Sequence, residues 1–157
     1  GHEINVQKYQ DSPLTASCKL GRLDLIKLLI SYQAEVNVMS YNNEFEYAGS
    51  PLDAAISGGH IECIKLLLQH GAYLHLQSAM VASIKRQRLQ SLEFLLDKFP
   101  EEGAALACDT ELGLLHYASK KNNEDIVILL IDHGCDVDST YNDKTPLMNA
   151  LNPRVVA

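Results

Sequence analysis

Ser50-Pro51-Leu52-Asp53-Ala54-Ala55-Ile56-Ser57-Gly58-Gly59-His60-Ile61-Glu62-Cys63-Ile64-Lys65-Leu66-Leu67-Leu68-Gln69-His70-Gly71-Ala72 holds two short helical patterns, split by Gly59-His60 and closed by Gly71. Ser50-Pro51 supplies a cap residue followed by a proline in the first turn, where the missing N–H costs nothing. Ile61, Ile64, Leu67 and Leu68 recur at the spacing of one apolar helix face. Neither helix is long enough to stand alone in water, so the pair needs neighbours.

Repetition supplies them. Leu52 is followed at 14 and 15 residues by Leu66-Leu67, and the same offsets link Leu14 to Leu28-Leu29, Met80 to Phe94-Leu95 and Leu115 to Leu129-Leu130. A small residue stands three after each of these anchors (Ser17, Ala55, Ser83, Ala118), where two helices must approach closely. The distances between anchors vary as 38, 28 and 35 residues, and a fifth start, Lys144-Thr145-Pro146-Leu147, follows at 32. Constant helix pairs joined by variable connections mark a stacked repeat array.

Thr145-Pro146-Leu147, Ser50-Pro51-Leu52, Gly59-His60 and the tails Ala34-Glu35-Val36-Asn37 and Gly71-Ala72-Tyr73-Leu74-His75 resemble the ankyrin repeat. The resemblance covers essentially the whole chain. It is weakest in the third unit, where Arg86-Gln87-Arg88 replaces the inter-helix glycine region. It implies an all-α solenoid of stacked antiparallel helix pairs with β-turn or hairpin fingers. The approximate units are 5–37, 38–75, 76–107, 108–138 and a partial 139–157 within one domain, 1–157. It also implies binding to a segment of a partner protein, with no catalytic residue and no cofactor.

Bulk properties agree with a soluble recognition module. The chain has 157 residues, 46% of them apolar, and no apolar run reaches membrane-spanning length or resembles a signal peptide. A net charge of −7 argues against general nucleic-acid affinity, although a local basic patch is compatible with it. Cys18, Cys63, Cys108 and Cys135 are widely spaced with no CxxC, which favours a reducing compartment, cytoplasmic or nuclear. Gly1-His2-Glu3-Ile4-Asn5 aligns with Gln33-Ala34-Glu35-Val36-Asn37, the tail of a repeat, so the expectation is a monomeric fragment cut from a longer array.

Connections carry the first functional signal. From tail position to next anchor they count 9, 15, 5, 8 and 9 residues, so an oversized finger, Val38 to Gly49, lies beside a missing one. The long finger holds Tyr41, Phe45 and Tyr47, which bury area with few rotors to freeze. Two readings stand: a partner-contacting loop, or a plug folded over the third unit. Tyr9 and Tyr141 lie near the place of Tyr41 in their own fingers, giving either a spaced aromatic row or ordinary packing within each finger.

The inner helices carry the second. In regular ankyrin repeats the residues five and six after the anchor face the groove, and here they are Lys19-Leu20, Ser57-Gly58, Lys85-Arg86 and Lys120-Lys121. No acidic residue occupies these places, and Tyr117 enters the same surface. A basic lane would favour an acidic or phosphorylated segment; the alternative is that exposed lysines only confer solubility.

Other candidates are explained by the repeat itself. His116, His133 and Cys135 match no common zinc spacing, and each occupies a regular repeat position, so no metal is expected. No nucleophile has a recognisable base and orienting partner. Asn37 resembles the asparagine that hydroxylases modify in some ankyrin arrays. Beside partner binding stand two alternatives: a rigid spacer or targeting arm of a larger enzyme or effector, and self-association through the irregular third unit.

Overall fold

A computed structural model describes residues 11–41 and 47–150. The chain divides into two compact units, residues 1–75 and 76–157. In the first lie α1 (Pro13–Lys19), α2 (Leu23–Ser31), β1 (Ser40–Tyr41), β2 (Tyr47–Gly49), α3 (Pro51–Gly58) and α4 (Ile61–Gln69). In the second lie α5 (Leu76–Lys85), α6 (Leu89–Lys98), α7 (Pro100–Ala107), α8 (Leu114–Lys121), α9 (Glu124–Asp132) and α10 (Pro146–Ala150). This is the all-α ankyrin architecture the sequence implies.

Three helices begin at side-chain caps. Ser50 accepts the Asp53 N–H at 3.2 Å while its own N–H donates to the Asp53 carboxylate at 2.9 Å, a reciprocal capping box that fixes the start of α3. Ser12 caps α1 through the Thr15 N–H at 3.1 Å, with Pro13 at the first helical position. Asn123 caps α9 through the Ile126 N–H at 3.2 Å.

A single backbone device closes the first helix of units one to four. Seven residues after the anchor the chain turns left-handed, at Gly21 (φ 66°), Gly59 (φ 74°), Gln87 (φ 57°) and Asn122 (φ 61°). The next N–H then returns to the carbonyl of the small residue three after the anchor: Arg22 to Ser17 at 2.9 Å, His60 to Ala55 at 3.0 Å, Arg88 to Ser83 at 2.7 Å and Asn123 to Ala118 at 3.5 Å. This six-to-one bond satisfies a carbonyl that the helix end leaves open. The third unit therefore keeps the turn without its glycine: Gln87 adopts the left-handed conformation, at a steric cost glycine avoids.

The second helices repeat the device nineteen residues after the anchor, at Gln33 (φ 63°), Gly71 (φ 82°) and Gly134 (φ 92°). The closing bonds run Ala34 to Leu29 at 3.0 Å, Ala72 to Leu67 at 3.0 Å and Cys135 to Leu130 at 3.3 Å. The third unit departs from the pattern here. Phe99 occupies the turn position with φ −128°, and Pro100 has no N–H to complete the bond. Proline starts a helix instead, with Glu101 and Glu102 in the favourable first turn, and α7 forms where a regular repeat places its tail. Reading residues 76–107 as one helix pair with its tail did not anticipate this third helix.

Packing follows the anchors. Within the first unit α1 lies on α3 and α2 beside α4; within the second α5 lies on α8, α8 on α10, and α6 touches both α7 and α9. Leu14, Leu52, Met80 and Leu115 are buried, as are Ile26, Ile64, Leu92, Leu67, Leu95 and Leu130. Each such side chain contributes about 1.5–3 kcal/mol on leaving water. Cys18 and Cys63 behave as small core residues, at 0% and 2% exposure.

Loops are tied by side chains. Asn37 donates to the Gly71 carbonyl at 3.1 Å and accepts the Tyr73 N–H at 2.8 Å, so its amide clasps two successive repeat tails. His60 donates through Nε2 to the Lys19 carbonyl at 3.1 Å and fills the space that side chains at Gly21 and Gly58 would need. On the outer face Lys65 pairs with Glu62 at 3.0 Å, an exposed i,i+3 contact of small energetic weight.

Candidate binding surface

The long finger is a hairpin at its base: Ser40 faces Gly49 and Tyr41 faces Tyr47 across an antiparallel ribbon with an irregular register. For Tyr41 and Tyr47 the description is of the backbone. Tyr9 and Phe45 lie outside the described residues.

In the second unit the candidate residues converge. The finger before α10 closes as a tight hairpin, with Tyr141 N–H donating to Lys144 O at 2.9 Å and Lys144 N–H returning to Tyr141 O at 3.1 Å. Its two central residues, Asn142 and Asp143, both have positive φ (50° and 60°), as a two-residue turn matching strand twist requires. This turn delivers the Tyr141 ring onto Gly113, the residue that starts α8. A Cβ at Gly113 would lie 2.6 Å from the ring, so glycine permits the contact. His116, one turn into α8, donates through Nε2 to the Ser139 carbonyl at 2.9 Å and holds its ring 5.6 Å from that of Tyr141.

These contacts leave a cavity of about 390 Å³ walled by Gly113, His116, Tyr117, Lys120, Tyr141 and Lys144. Lys121 reaches back over Tyr117, its ammonium 5.6 Å from the ring centroid. Four residues expected from the sequence, Tyr117, Lys120, Lys121 and Tyr141, thus share one surface. Two more belong to it that the sequence reading did not single out for binding. In the sequence Lys144 leads the start of the fifth repeat, and His116 stands at a regular repeat position. The signal for Lys144 was its place three after Tyr141 across a two-residue polar turn.

Lys85 and Arg86 are exposed at the end of α5, which packs on α8. Lys19 is exposed at the end of α1 in the first unit and forms an ion pair with Asp11. Cations at these helix C-termini also complement the helix dipole, a structural contribution independent of any partner. The arrangement offers ammonium groups beside aromatic walls, which suits an anionic group attached to an apolar stem.

The other histidine and cysteine positions are engaged in the fold. His133 donates through Nδ1 to the Leu129 carbonyl at 2.8 Å, and Cys135 is buried at the following turn. Among the described residues, no three His, Cys, Asp or Glu side chains are grouped to hold a metal ion, and no helix is long and apolar enough to cross a membrane.

A family model described as ankyrin repeats (3 copies) matches residues 1–78 and again residues 79–156. No curated protein matches the chain. Ankyrin repeats are generally protein–protein interaction modules and typically non-catalytic. Matched from residue 1 to 156, with four anchored helix pairs and their left-handed closures in place, the chain belongs to the ankyrin-repeat family.

Proposed function

We propose that this chain binds an acidic or phosphorylated segment of a partner protein, with the cavity between α8 and the Tyr141 finger as its principal contact. The observation that carries the reading is the convergence of Tyr117, Lys120, Tyr141 and Lys144 on one cavity in a chain of net charge −7. Positive side chains gathered in an acidic protein concentrate field locally and raise the encounter rate with anionic groups. The aromatic walls take up the apolar stem of the bound side chain. Lys85 and Arg86 extend the lane along α5, and in the first unit Lys19, Tyr9, Tyr41, Phe45 and Tyr47 are proposed as partner contacts in their own right.

The test is binding to an array of acidic peptides and their phosphorylated counterparts, comparing the wild type with Lys85→Glu/Lys120→Glu at two salt concentrations. Selective capture of anionic peptides that weakens with salt and is lost in the variant supports the reading. Equal affinity and equal salt dependence in the two proteins would refute it.

A further inference from the structure

Beneath the loops that build this cavity lie two thiols from separate parts of the second unit. Cys108 caps the C-terminal end of α7, and Cys135 follows the left-handed Gly134 that closes α9. The Cys108 thiol donates to the His133 carbonyl at 3.7 Å, which lays it across the turn carrying Cys135. Both cysteines line one small cavity, shared with Gly113, His116 and Ser139. Access separates them: Cys108 is half-buried, whereas Cys135 is 6% exposed.

We propose that Cys108 and Cys135 form a reversible thiol–disulfide site whose co-reactant is a small-molecule disulfide such as oxidised glutathione. The Cys108 thiolate attacks one sulfur of the oxidant, releasing one glutathione thiolate and forming a mixed disulfide on Cys108. Cys135 then loses its proton and attacks the Cys108 sulfur, displacing the second glutathione. Two electrons pass from the protein thiols to the oxidant, and the two thiol protons leave on two glutathione molecules. Burial, then the neighbouring Cys108, pushes the Cys135 thiol up to about 12. Cys108, the more accessible of the two, is the thiol that meets the oxidant.

The bond would join the end of α7 to the loop after α9. That loop carries Ser139, the acceptor for His116, and the cavity of the thiols shares Gly113 with the binding surface. The inference goes beyond the binding reading and stands without it. Cys18 and Cys63 provide an internal comparison, since they are 0% and 2% exposed and so closed to the oxidant.

The experiment incubates the full chain with oxidised glutathione over a range of ratios to reduced glutathione. Remaining thiols are alkylated after unfolding in urea, and trypsin digestion without reductant is followed by mass spectrometry. Lys120 and Lys121 lie between the two cysteines, so a surviving link appears as joined peptides. The expected result is the loss of two of the four alkylatable thiols, a Cys108–Cys135 linked peptide, and its disappearance on adding dithiothreitol. Cys108→Ala should abolish it, and Cys135→Ala should trap glutathione on Cys108. Ala34 and Ala72 occupy the place of Cys135 in other repeats, so alanine is compatible with the fold there, and circular dichroism checks that it persists. Four thiols remaining alkylatable at every ratio would overturn the proposal, as would a stable Cys108–glutathione adduct in the wild type without the link.

Discussion

Gly21→Ala isolates the contact by which His60 locks α1 to the turn between α3 and α4. Two penalties meet at this position. Gly21 has φ +66°, where a Cβ costs about 1–2 kcal/mol. The added Cβ would also lie 2.5 Å from Nδ1 and 2.7 Å from Cε1 of the His60 ring. The ring is held by its bond to the Lys19 carbonyl, so it cannot yield freely, and overpacking of this kind costs about 1–3 kcal/mol. The sum is a loss of about 2–5 kcal/mol. Gly71→Ala is the reference, because φ is +82° there and no atom lies within 4 Å of the added Cβ, leaving only the backbone term of about 1–2 kcal/mol. Urea unfolding followed by circular dichroism measures both, read from midpoints at unchanged slope. Repeating Gly21→Ala in a His60→Ala background should erase the difference between the two glycines. If Gly21→Ala costs no more than Gly71→Ala, or the His60→Ala background leaves the gap intact, the assigned contact is wrong.

Gln87→Gly should raise the urea midpoint by the equivalent of about 0.5–1 kcal/mol, since it relieves left-handed strain of about 1–2 kcal/mol while freeing the unfolded chain; a lower midpoint would contradict the strain. Cys18 bears on alkaline stability: burial, then the nearby Cys63, pushes its thiol from 9.0 up to about 12. Above pH 9 the unfolded chain sheds this proton while the folded chain keeps it, so stability falls as pH rises from 9 to 12. Cys18→Ala should flatten that decline in urea titrations, and an unaltered slope would remove Cys18 from its cause. Gly113→Ala should displace the Tyr141 ring, shifting its aromatic proton resonances and lowering stability, because the new Cβ would sit 2.6 Å from the ring at φ +58°; unshifted resonances would refute the stacking.

The local grammar of the repeat was legible without coordinates. The cap at Ser50, the anchors Leu14, Leu52, Met80 and Leu115, and the small residues three beyond them act within one or two helical turns. Their spacing alone therefore carries the helix pairs. The helix Pro100–Ala107 was legible in principle, since proline followed by two glutamates is a helix start, but the expected repeat tail obscured it. Gln87 shows the opposite case: the missing glycine weakens the resemblance in the third unit, yet the bond from Arg88 to Ser83 holds the turn and a non-glycine residue bears the strain.

The amino-acid sequence by itself determined the repeat unit, its all-α class and the type of residue available for binding, because these follow from periodicity, capping and charge along the chain. Only the tertiary structure decided which of those residues meet. Tyr141 reaches Gly113 because Asn142 and Asp143 turn left-handed and return the finger, and because glycine leaves room for a ring at the start of α8. Cys108 reaches the turn before Cys135 because Phe99-Pro100 diverts the chain into α7. Both juxtapositions join residues more than twenty positions apart, so they depend on how the helices pack rather than on spacing that any single helix could display.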